Sequence, residues 1–67
     1  MMFELFTRRE GDVVARIVEG RANKEIAAEL KCSTKTVEFH IRNIFRKTSV
    51  SSRLELACWF FRQKAAS

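Results

Sequence analysis

The sequence predicts an all-α domain of four helices, and three observations carry that expectation. Apolar residues recur at the three- and four-residue spacing of a helix face in four separate stretches. Serine, threonine or asparagine stands at the start of each stretch, where a side-chain oxygen can accept from the first-turn amides. Finally, the 67 residues contain no proline and only two glycines, so little interrupts those stretches.

Each element has its own punctuation. Thr7 followed by Glu10 is a capping box, which predicts a first helix over about 8–19 with Val13, Val14, Ile17 and Val18 on one face. Gly20 is placed to end it, while Gly11 inside it costs about 1 kcal/mol relative to alanine. A short second helix spans about 23–30 with Ile26, Ala27 and Leu30 facing inward, and Asn23 is the candidate cap. Lys31 and Cys32 make a tight connection to Ser33, which caps a third helix over about 34–48. Ser52 and Glu55 form a second capping box and open a fourth helix over about 52–64. Neither repeats nor linkers divide the chain, so residues 1–67 are expected to form one continuous domain.

Size and composition argue against several classes of function. A chain this short has no room for a cleft plus the scaffold to hold it. No nucleophile–base pair, metal-ligand set or phosphate loop stands out, so neither an enzyme nor a bound cofactor or metal is expected. Cys32 and Cys58 are too few for a disulfide framework and suit a reduced, cytoplasmic setting. The longest uncharged apolar run, residues 56–61, is far too short to span a bilayer, and no signal peptide is expected at the N-terminus.

The net charge of +5 is concentrated in one place. Between Lys31 and Arg53 lie Lys31, Lys35, Arg42, Arg46, Lys47 and Arg53, opposed only by Glu38, and acidic residues elsewhere cancel all the remaining cations. Such a segment suits a surface that meets a polyanion. Helical periodicity puts Val37, Ile41, Ile44 and Thr48 on the inner side of the third helix, with Phe45 at the margin. Lys35, Phe39, Arg42 and Arg46 then fall on the outer side, with Glu38 and Asn43 at its edges. A phenylalanine amid those cations is either an exposed ring suited to a thymine methyl or base edge, or the sign of a shifted register that buries it. Two helices joined by a very short turn, the second cationic outside and apolar inside, make a helix-turn-helix. Ala27 supplies the small residue where the pair crosses, and double-stranded DNA is the expected partner.

Residue identities sharpen this reading. Phe6-Thr7-Arg8-Arg9-Glu10 opens the pattern, followed by Gly20, Asn23-Lys24-Glu25-Ile26-Ala27, Leu30, Ser33, Thr36-Val37, His40, Asn43-Ile44, Lys47, Val50, Arg53 and Glu55. In that order and at those intervals, from about Leu5 to Phe61, the chain closely resembles the LuxR-type helix-turn-helix domain, also found at the C-terminus of NarL/FixJ-class response regulators. The resemblance implies a tetrahelical fold, binding to double-stranded DNA as a dimer and regulation of transcription, with no catalysis and no cofactor in this domain. It assigns base reading to Lys35, Glu38, Phe39 and Arg42, and phosphate contacts to Lys24, Thr36 and Arg46.

The chain also departs from that pattern. Glu38 stands where family members often carry lysine or arginine. Its carboxylate can accept a hydrogen bond from cytosine N4, or it can pair with Arg42 one turn on; both readings stay open. Ala22 replaces a common serine cap, and Thr48 a usual leucine, which predicts a slightly weaker core. The single histidine, His40, is expected to be a packed, hydrogen-bonded residue beside the inner stripe, with a phosphate contact or pH sensing as the alternative.

The fourth helix is apolar nearly all round: Leu54, Leu56, Ala57, Cys58, Trp59, Phe60 and Phe61. Leu56, Ala57 and Phe60 match positions that pack inward in the family. A second stripe, Leu54, Cys58 and Phe61, is left for an interface, and the resemblance makes a symmetry mate the partner. Packing of that stripe against residues 1–6 is the competing expectation. Two other functions share parts of this pattern: the promoter-reading region of a sigma factor, and a protein-interaction module docking on another regulator or polymerase through the fourth helix.

Overall fold

The computed structural model describes residues 5–66, which form four helices: α1 (Arg8–Val18), α2 (Asn23–Leu30), α3 (Thr34–Thr48) and α4 (Arg53–Ala66). No strand occurs among the described residues. α1 stops one residue short of expectation, with Glu19 as its cap, and α4 begins one residue later and runs two residues further.

The ends of α1 follow from its sequence. Thr7 Oγ1 accepts from the Glu10 amide at 3.1 Å, and Glu10 Oε1 accepts from the Thr7 amide at 3.0 Å, completing the capping box. The Gly20 amide reaches Ile17 O, and φ +88° at Gly20 then turns the chain so that the Arg21 amide reaches Arg16 O. Two carbonyls of the last turn are thereby satisfied.

α2 starts differently from the expectation. Asn23 is its first residue rather than its cap; Ala22 holds that position with no side-chain oxygen to offer. Glu25 reaches back to the Ala22 amide at 2.8 Å, so only the reciprocal half of a capping box closes here. That leaves the Asn23 side chain free to accept from Arg53 Nη1 at 2.7 Å. α2 ends on Lys31 in the left-handed conformation (φ 57°), which costs a non-glycine residue about 1–2 kcal/mol.

At the head of α3, Ser33 Oγ accepts from the Thr36 amide at 3.1 Å, as its position predicts. Before α4, Ser52 Oγ accepts from the Glu55 amide, but the expected reciprocal box does not close. The Glu55 carboxylate instead takes both the amide and the hydroxyl of Ser51, at 2.7 and 3.0 Å, two donors against the one that Ser52 offers.

α3 is the central helix, packed on α1, α2 and α4. Its inner stripe, Val37, Ile41, Ile44 and Thr48, is buried as the periodicity requires. These residues meet Val13, Val14 and Ile17 of α1, Ile26, Ala27 and Leu30 of α2, and Leu56 of α4 in one core. Thr48 fits because its hydroxyl donates to Ile44 O at 2.8 Å, so no polar atom is stranded there. Phe6 seals the base by meeting Trp59 edge to face, ring centroids 5.8 Å apart.

Candidate nucleic-acid interface

The short turn at Lys31–Ser33 fixes α2 against α3, with Ala27 buried where the pair meet. Because α3 buries a residue every third or fourth position, its opposite side is held outward. Lys35, Thr36, Glu38, Phe39, Arg42 and Arg46 are all exposed, as is Lys24 at the head of α2. Phe39 is 55% exposed, which disposes of the shifted register. The ring sits edge to face with His40, centroids 5.8 Å apart. His40 itself is half-buried but makes no hydrogen bond among the described residues, contrary to the expectation of a hydrogen-bonded core residue.

Glu38 and Arg42 do not form an ion pair among the described residues. Their spacing allows one. At a solvated surface, however, the Coulomb gain is matched by the entropy of fixing two long side chains. The pairing read from the sequence is therefore set aside, and the carboxylate is open on the outer face.

Two cations of the basic segment are engaged inside the domain, and neither engagement has a local signal in the sequence. Lys47 Nζ donates to Glu10 Oε1 at 2.5 Å, across 37 residues. Burial pushes the Glu10 carboxyl up, but the hydrogen bonds from Lys47 and Thr7 and the nearby charge of Lys47 and His40 outweigh it and hold Glu10 below its ordinary value. Arg53 bridges Asn23 Oδ1 and Arg21 O, at 2.7 and 2.6 Å, tying the first turn of α4 to the α1–α2 turn.

The acidic side of the domain is similarly self-satisfied. Glu29 accepts from Arg16 Nε at 2.7 Å and Arg21 Nε at 2.6 Å, and Arg21 also pairs with Glu19. The bond from Arg16 is the main reason the Glu29 carboxyl lies below its usual range. Lys35, Arg42 and Arg46 are left without an acidic partner among the described residues.

On α4, Leu56 is fully buried and Ala57 and Phe60 are half-buried, so the inward stripe is as expected. Leu54 is 75% and Phe61 55% exposed, and Cys58 is exposed between them. Of the segment offered as their cover, residues 1–4 lie outside the described residues, and Phe6 packs on Trp59 instead. No group of three or more histidine, cysteine, aspartate or glutamate residues suited to a metal occurs among the described residues, and none of their helices is long and apolar enough to cross a membrane.

A short helix crossing a longer one whose outer face is cationic, inside a bundle of four, is the architecture of a helix-turn-helix DNA-binding domain. Residues 4–60 match the family of bacterial regulatory proteins of the luxR type, and the chain belongs to that family of DNA-binding transcription regulators. It is 42% identical over 64 residues, 96% of its length, to the nitrate/nitrite response regulator protein NarP of Escherichia coli, covering 30% of that protein. It is 44% identical over 59 residues, 88% of its length, to the transcriptional regulatory protein LiaR of Bacillus subtilis, covering 28%. Against the transcriptional regulatory protein UhpA of Escherichia coli the identity is 49% over 51 residues, 76% of this chain and 26% of the other. The chain thus spans less than a third of the length of these curated relatives.

Proposed function

We propose that this domain reads a specific DNA sequence as a two-fold dimer and so regulates transcription. The N-terminal half of α3 enters the major groove, where Lys35, Glu38, Phe39 and Arg42 meet base edges. Lys24, Thr36 and Arg46 contact phosphates on either side. Leu54, Cys58 and Phe61 pair α4 with its symmetry mate, setting two recognition helices on neighbouring half-sites about one helical turn apart.

The observation that carries this reading is the outer face of α3, where three cations without acidic partners surround an exposed ring. Lys24 and Arg46 neutralise about four phosphates per dimer, for a log–log salt slope of roughly −4. The test is selection of bound duplexes from a random pool at two salt concentrations, with Arg42→Ala as control. A motif with two-fold symmetry that Arg42→Ala loses supports the reading. Weak, unselective binding abolished by modest salt refutes it. That result, together with the exposed stripe of α4, would favour a protein-interaction module docking on a regulator or polymerase.

A further inference from the structure

Glu38 is the one carboxylate between Lys31 and Arg53, and it stands on the outer face beside Phe39, between Lys35 and Arg42. It has no hydrogen bond or ion pair among the described residues. An ionised carboxylate only accepts hydrogen bonds. Facing DNA, it meets phosphates and the acceptor atoms of guanine, thymine and adenine N7, all of which repel it. Only the amino groups of cytosine and adenine donate into the major groove. Adenine flanks its amino group with the N7 lone pair, which turns away the second carboxylate oxygen. Cytosine flanks its amino group with a C5–H, which does not.

We propose that Glu38 makes each half-site depend on a cytosine whose groove-facing amino hydrogen is intact, so that N4-methylation of that cytosine blocks binding. The inference rests on the placement of α3 in the major groove proposed above. To keep its pair with guanine, N4-methylcytosine must turn its remaining N–H inward. The methyl group then takes the groove-facing position and the donor is gone. Glu38 and Arg42 lie four residues apart, about 6 Å along the helix. At roughly 3.4 Å per base pair, a guanine taken by Arg42 falls within about two steps of this cytosine. Because the carboxylate repels phosphate wherever no amino group awaits it, it also lowers affinity for unrelated DNA.

The experiment uses the selected duplex, with each cytosine replaced in turn by N4-methylcytosine and binding measured for the unaltered protein and for Glu38→Ala. One symmetry-related position is expected at which methylation, or replacement by thymine, weakens the unaltered protein by roughly tenfold or more per half-site. Glu38→Ala should bind both forms within about twofold and bind unrelated DNA more tightly. Tolerance of methylation at every cytosine overturns the inference without relying on any variant folding. So does an unchanged cytosine preference in a Glu38→Ala protein of normal helical content. A pool yielding no salt-resistant motif overturns the underlying reading of DNA recognition, and this inference with it.

Discussion

Lys47→Met should destabilise the domain far more than Glu10→Gln, although the two residues share one ion pair. Glu10 is 4% exposed, and its carboxylate depends on Lys47 Nζ at 2.5 Å and on the Thr7 amide. Removing the ammonium leaves a buried charge with one donor, whereas Glu10→Gln leaves Lys47 able to turn to water. Breaking a buried pair costs about 3–5 kcal/mol and an exposed pair under about 1. The Lys47 side chain is 33% exposed, so about 2–3 kcal/mol is expected for Lys47→Met. Against the roughly 3–10 kcal/mol available to a domain of this size, that shift is large, about 8–24 °C in Tm. Glu10→Gln should cost about 1 kcal/mol. Thermal and urea unfolding followed by circular dichroism, at neutral pH and on acidification, make the comparison. The folded Glu10 pKa lies below the ordinary 4.5, so the folded state binds fewer protons than the unfolded chain. The stability it confers is complete above that value and lost as pH falls through the folded pKa. Glu29 and Glu55 add acid-labile stability of the same sign in every variant. Lys47→Met removes the largest lowering influence on Glu10 and keeps the burial, so its loss of stability in acid should be smaller than that of the parent. If Glu10→Gln is the more damaging change, or if the acid limbs coincide, the reasoning about a buried carboxylate is wrong.

Two other perturbations probe different parts of the domain. Arg53→Ala removes the bonds to Asn23 and Arg21 O and should lower stability by about 1–2 kcal/mol; in a double-mutant cycle Asn23→Ala should add little to it. Leu54→Ser with Phe61→Ser should leave unfolding of the isolated domain within about 0.5 kcal/mol per site, because both side chains are exposed, while abolishing the proposed dimer, with sedimentation on DNA as the check.

What the sequence made legible was local. The Thr7–Glu10 box, the Ser33 cap, the glycine at the end of α1 and the inward stripe of α3 each follow from residues three or four apart. That same period puts Phe39 on the outer side but leaves a shifted register open, and only its exposure closes the question. What escaped depends on chain segments meeting in space. Nothing near Lys47 announces Glu10, and nothing near Arg53 announces Asn23, yet these pairs withdraw two cations from the basic segment. The misassigned cap of α2 is only partly of this origin: the Glu25 bond to the Ala22 amide is local, three residues apart, whereas the use of the Asn23 side chain by Arg53 on α4 is not. Glu38 and Arg42 show that a permissive interval is no obligation, since surface pairing gains too little to enforce it.

The segregation of ion pairs also has a kinetic consequence. Glu19 and Glu29 hold Arg16 and Arg21 in local pairs on the α1–α2 side, while Lys35, Arg42 and Arg46 on the outer face of α3 have no acidic partner among the described residues. The outer face of α3 is therefore a local concentration of positive charge. With α3 as the proposed docking face, the field of a duplex turns the domain as it approaches, so that encounters begin α3 first and a smaller fraction of collisions is wasted. Dissolved salt, by shortening the range of that field, slows productive arrival even where the final contacts are unchanged.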